Sequence, residues 1–214
     1  MVVSEYGPRG KRAERYREFR IFASCAPQWF REFSENDARH EFFESVSSFY
    51  ILPELDSPAS NAKSVEISYG ARPVDHEVSA SRMRFVTEQG GTLRYERTVR
   101  GTVICVMYPE KCEGFRRTEE AIIIEHISNP RILTSKNHLK RHWRTFLSYC
   151  ECSSVDGDPT LIDRIIVEWL MFVKPVIYKD KVEERRVTTA AKWVLKWTLT
   201  VGLSGALLSL FVSK

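Results

Sequence analysis

His138 and His142 stand four residues apart, the spacing that brings two imidazoles onto one face of a helix, as metal-binding pairs do. Cys150 and Cys152 follow closely enough to suggest a four-ligand set. Geometry argues against it. On one continuous helix Cys150 lies about 12 Å beyond His142, at ~1.5 Å per residue. A Cys-x-Cys spacing is also shorter than that of zinc knuckles, with their roughly two to four intervening residues. The expectation is no metal and no cofactor, with the histidines flanking a core stripe and Cys150 buried.

Glu125 and His126 follow an isoleucine run and have the chemistry of an acid–base pair. Neighbouring strand residues point to opposite faces, so the two are poorly placed to share one site. Arg131, Lys136, Lys140, Arg141 and Arg144 are a different signal, because no acidic residue occurs between Glu125 and Glu151. Such a patch suits an anionic ligand: a nucleotide, a nucleic acid or an anionic lipid surface. The plainer alternative is a solvated helix face. No nucleophile elbow, phosphate-binding loop, dinucleotide fingerprint or zinc-protease pair occurs, so no catalytic residue is expected and the chain does not read as an enzyme.

These residues need elements to position them, and the hydrophobic period changes along the chain. Residues 1–20 are rich in arginine; Gly7, Pro8 and Gly10 argue against a helix at the extreme start, and Pro27 reads as a stop. Trp29, Phe30 and Phe33, then Phe42, Phe43, Val46, Phe49 and Tyr50, predict one or two helices ending before Pro53. Val65, Ile67 and Tyr69 alternate with polar residues as in a half-buried strand. Met83–Glu88 and Leu93–Val99 flank Gly90-Gly91 and read as a hairpin, although Arg97 shares a face with Leu93, Tyr95 and Val99. The runs Thr102–Tyr108 and Ala121–Ile127 read as central strands.

Helical period returns after Ser135, an N-cap candidate, with Leu139, Trp143, Phe146, Leu147 and Cys150 on one stripe. Asp158 and Pro159 fit the start of a second helix, whose Ile162, Ile165, Ile166, Trp169, Leu170 and Val173 read as a core face. The predicted fold is α+β: N-terminal helices, an antiparallel meander of about four to six strands, two further helices and a charged stalk, with a C-terminal transmembrane helix last. Residues 1–186 form the cytosolic domain in this reading and residues 187–214 the membrane segment with its basic flank.

That last segment has the clearest physical signature. Trp197 to Ser213 holds no charged side chain, and its 17 residues span roughly 26 Å as a helix. Starting at Trp193 gives about 32 Å, close to the ~30 Å hydrocarbon core, with Lys196 snorkelling and the tryptophans at the interface. Thr198, Gly202, Gly205 and Ser209 line one helical face, which permits close approach of a second helix and hence a homo-oligomer. An in-plane amphipathic helix ranks below spanning because the polar face carries little charge. Arg185, Arg186, Lys192 and Lys196 before the segment, against Lys214 after it, predict a single-pass protein with its N-terminal domain cytoplasmic, in the inner membrane if the host is bacterial. No export signal precedes the domain, and five cysteines in no framework spacing read as reduced thiols.

The net charge of +4 includes three lysines of the membrane segment, leaving 4 − 3 = +1 for the rest, so a general nucleic-acid binder is not implied. A small cytosolic module on a short membrane segment is similar in arrangement, though in no matched motif, to bacterial antiviral and abortive-infection effectors. The expected function is a membrane-anchored sensor whose self-associating segment perturbs the membrane. A passive membrane-bound adaptor that only binds a protein partner is the alternative, and an enzyme tethered to a lipid substrate a third.

Overall fold

The computed structural model describes residues 8–53, 62–79, 82–113, 117–179 and 181–183. Two helices lead, α1 (Pro8–Glu35) and α2 (Ala38–Val46), followed by eight strands: β1 (Phe49–Leu52), β2 (Ser64–Tyr69), β3 (Arg72–Ser79), β4 (Arg82–Gln89), β5 (Thr92–Arg97), β6 (Val103–Tyr108), β7 (Lys111–Cys112) and β8 (Ala121–Ile127). A 3-10 turn, Pro130–Thr134, leads into α3 (Lys136–Ser153) and α4 (Leu161–Val173), and β9 (Val176–Tyr178) and β10 (Lys181–Glu183) complete the chain described. The fold is α+β. Its main sheet has seven strands in the order β1-β2-β5-β6-β8-β9-β10, and β3-β4-β7 form a smaller sheet. Every pairing among the described residues is antiparallel.

The core lies between one face of the main sheet and the helices α1 and α3. Val65, Ile67, Tyr69, Leu93, Tyr95, Val103, Cys105 and Met107 line the sheet side, and Phe19, Phe22, Phe30, Trp143, Phe146 and Leu147 the helix side. Pro27 does not stop α1 as the sequence suggested; the helix runs through it. An interior proline costs about 3 kcal/mol. Burying Phe19, Phe22, Phe30 and Phe33 on the same helix contributes about 1.5–3 kcal/mol each, which outweighs that cost. The helix also starts at Pro8, where proline's missing N–H would be unpaired in any case.

Phe49 and Tyr50 belong to a strand, not to the preceding helix: Phe49 pairs with Tyr69 at the sheet edge. A short aromatic run fits either period, and the neighbouring strand decides. The expected hairpin around Gly90-Gly91 does not form either. β4 pairs with β3 and β7, whereas β5 pairs with β2 and β6, so the glycines carry the chain from one sheet to the other. A Cβ on Gly90 would meet the Tyr69 carbonyl oxygen at 2.3 Å, and one on Gly91 the Cys150 sulfur at 2.8 Å. Arg97, out of place by pattern, stacks its guanidinium 3.8 Å from the centre of the Tyr16 ring, a cation–π contact with α1.

A buried polar network ties the small sheet to the loop between α3 and α4. Arg72 donates to Glu88 at 2.7 and 2.9 Å and pairs with Asp156 at 2.9 Å, while Glu88 accepts from the Val155 N–H at 2.6 Å. α4 begins two residues later than Asp158 and Pro159 suggested, with Thr160 and Asp163 forming a capping box. Its predicted core face is only partly buried. Val167, Leu170 and Met171 face inward, whereas Leu161, Ile162, Ile165 and Trp169 are more than 60% exposed. The expected stalk is in part the β9–β10 pair, with β9 docked on β8. No helix of the described residues is long and apolar enough to cross a membrane. Residues 187–214, with Trp193, Trp197, Thr198, Gly202, Gly205 and Ser209, lie outside the described residues.

Candidate functional site

A β-bulge in the main sheet builds the site. Cys105 of β6 pairs with Glu125 of β8, but the next residue, Val106, pairs with Ile123, so Ile124 is inserted. Without the insertion Ile122, Ile124 and His126 would share the core face. With it, Glu125 joins Ile122 on that face and His126 turns outward, its Nε2 lying 3.1 Å from Thr102 Oγ1. Tyr95, Cys105 and Glu125 therefore form one row across β5, β6 and β8. The alternation argument that Glu125 and His126 face apart holds; the partners of Glu125 lie on α3 instead.

The chain turns at the 3-10 segment and returns over this row as α3. Leu139, Trp143, Phe146, Leu147 and Cys150 are all buried, which fixes the helix rotation and aims His138 and His142 at Glu125. Ser135 is the N-cap residue, without a side-chain cap bond. His142 Nε2 lies 3.3 Å from Glu125 Oε2 and His138 Nε2 3.0 Å from the same oxygen. On the far side of the His142 ring, Nδ1 is 3.0 Å from the Tyr95 hydroxyl. Both imidazoles are buried, and His138 Nε2 has no hydrogen-bond partner despite its distance to Glu125.

The electrostatics follow from this packing. The His142 imidazole is the largest influence holding the Glu125 carboxyl below the usual range, and it outweighs partial burial. Burial pushes His138 down, helped by His142 and Arg141 and opposed by Glu125, so His138 favours its neutral form. Burial pushes the Tyr95 hydroxyl and the Cys105 thiol up, which keeps both protonated. Cys150 is completely enclosed, its thiol also pushed up by burial. Arg117 donates to the Cys152 carbonyl at 3.1 Å, away from the histidines. The four-ligand set weighed from the sequence therefore does not assemble. Glu125 takes the place the cysteines were considered for, a juxtaposition that depends on the bulge and leaves no trace in residue spacing.

Beside the triad lies a groove of about 540 Å³ lined by Ile132, Ser135, Asn137, His138, Lys140, Arg141 and Arg144. Three of the five basic residues singled out in the sequence thus meet there. Arg131 lines an adjoining groove of about 420 Å³ together with Glu125. Lys136 is spent elsewhere, 2.6 Å from Glu32 of α1. Among the described residues no carboxylate pairs with Lys140, Arg141 or Arg144, and Arg141 donates to His138 Nδ1 at 3.2 Å. The arrangement can bind an anion against three cations, with His138, one member of the neighbouring two-imidazole, one-carboxylate cluster, at its wall.

No family model, no curated protein and no solved structure matches this chain.

Proposed function

We propose that this protein is a membrane-anchored sensor. Its α+β domain takes a small phosphate-bearing ligand, a nucleotide in chemical class, in the groove of Lys140, Arg141 and Arg144. Its apolar segment from Trp193 to Ser213 holds the protein in the bilayer and self-associates there. One observation carries the sensing half: three cations and a histidine line a single groove to which no carboxylate contributes among the described residues. Guanidinium groups in that setting favour phosphate, whose oxygens accept paired N–H bonds. The membrane half rests on the 17 uncharged residues from Trp197. The outward apolar side of α4, with Ile165 and Trp169 exposed, supports a domain lying against the headgroup region of that bilayer.

The sensing half is tested by titrating the full chain in detergent with pyrophosphate, ATP and a short oligonucleotide, alongside Lys140→Glu/Arg144→Glu. Both side chains are exposed, so the double reversal leaves thermal stability within about 0.5 kcal/mol of wild type. It abolishes nucleotide binding. A wild type that binds none of these probes makes the patch a solvated face, and oligonucleotide binding alone makes the partner a nucleic acid. The membrane half is tested by expressing the full chain and a chain ending at Arg186 while following growth and membrane potential. Loss of potential that needs the segment supports an effector; a harmless, membrane-retained full chain is the adaptor outcome.

A further inference from the structure

We infer that Glu125, His138 and His142 form a binding site for a divalent transition-metal ion of the zinc class. The donor atoms are already gathered. Nε2 of His138 and Nε2 of His142 lie 3.0 and 3.3 Å from Glu125 Oε2, and all three donors fall within 4.8 Å of one another. Ligands about 2.0–2.1 Å from a shared tetrahedral ion stand about 3.3 Å apart, so two edges of the tetrahedron match before any ion binds. The third edge, between the two histidines, closes by at most about 1.5 Å, a shift that small ring rotations supply.

The hydrogen bonding points the same way. His138 Nε2 is buried and faces Glu125 Oε2 at 3.0 Å without a well-aligned hydrogen bond, and coordination would satisfy it. His142 Nδ1 faces the Tyr95 hydroxyl at 3.0 Å. When Nδ1 carries the proton and donates to the Tyr95 oxygen, the Nε2 lone pair is left facing Glu125, the outer-shell arrangement typical of metal-bound histidines. Arg141 works against the ion. It donates to His138 Nδ1 at 3.2 Å, which places the His138 proton on Nε2 in the metal-free protein. Binding moves that proton to Nδ1 and turns the exposed Arg141 side chain to solvent.

Two imidazoles and a carboxylate select zinc and its neighbours over magnesium or calcium, which prefer all-oxygen shells. Among the described residues three protein donors meet there, and the Glu125 side chain is about one-third exposed at the Arg131 groove, which leaves a coordination position for water or an anion. The site stands on donor geometry and does not depend on the phosphate reading.

Cobalt(II), added alone to metal-free full chain in detergent, is the probe. The expected result is saturable one-to-one binding with intense visible absorption of a tetrahedral site, displaced by zinc. Glu125→Gln and His138→Gln each weaken zinc affinity at least about tenfold, and Tyr95→Phe, which does not touch the ion, weakens it by about 10–100-fold. Arg141→Ala tightens it, because the competing guanidinium is gone. As a second readout, zinc raises the Tm of the wild type and leaves that of His138→Gln unchanged. A wild type with no cobalt absorption and no zinc-dependent Tm overturns the inference, as does affinity unchanged in both Glu125→Gln and His138→Gln. Pyrophosphate binding measured with and without zinc reports on the groove separately, so failure of one site is distinguishable from failure of the other.

Discussion

Replacing Glu110 with glutamine should stabilise the protein by an amount that grows with pH. Glu110 lies in the connection between β6 and β7, is only 3% exposed, and has the buried Glu88 carboxylate nearby. Burial first, then the charge of Glu88, pushes its carboxyl from the usual 4.5 up to about 8, against the pull of Ser154, Arg72 and the Gly91 N–H. The folded state therefore keeps a proton that the unfolded state gives up. For a carboxyl with a raised folded value, the stabilising contribution is full below about pH 4.5, falls as pH rises towards 8, and is gone above it. At about 1.4 kcal/mol per unit, the loss is under about 1 kcal/mol at pH 5 and roughly 4 kcal/mol at pH 8. Glutamine has the shape of the protonated acid and does not titrate. Thermal melts of wild type and Glu110→Gln in nonionic detergent between pH 5 and 9, followed by near-ultraviolet circular dichroism, isolate this one group. The Tm difference should widen by roughly 8–16 °C across that range, at about 2–4 °C per kcal/mol for a protein of this size. A difference that stays constant from pH 5 to 9 would refute the reasoning, because a carboxyl ionised in both states has no pH-dependent effect to remove.

Two further perturbations probe other levels of the structure. Gly90→Ala should cost about 1–3 kcal/mol, because its Cβ would sit 2.3 Å from the Tyr69 carbonyl oxygen where the chain passes between the two sheets; a urea midpoint equal to wild type would contradict that close approach. If the proposed self-association of residues 193–213 holds, Gly202→Leu and Gly205→Leu should reduce crosslinking of the full chain in membranes, since bulk on a small-residue stripe would keep two helices apart. Unchanged crosslinking would remove the stripe from the argument for self-association.

Apolar runs and helical period mark the α+β class, the two central strands and the buried stripe of α3, because those segments are buried along most of their length. The sequence also singles out Lys140, Arg141 and Arg144, since a stretch without acids is legible as composition. Elements whose identity depends on a neighbour are ambiguous in the sequence. Phe49 is a strand residue because Tyr69 lies beside it, β4 and β5 part company because each finds other partners, and Pro27 sits inside α1 because the phenylalanines around it are buried. α4 shows the converse: an apolar face reads the same in sequence whether or not anything covers it, and in the fold much of it is open. The triad is the sharpest case. The His138–His142 spacing was visible, but which acid or thiol would join them was not. One inserted residue in β8 reverses the facing of everything after it, and a bulge is selected by pairing with β6, a strand about 20 residues away. Local sequence sets which elements form; the neighbours each element acquires on folding set which side chains meet.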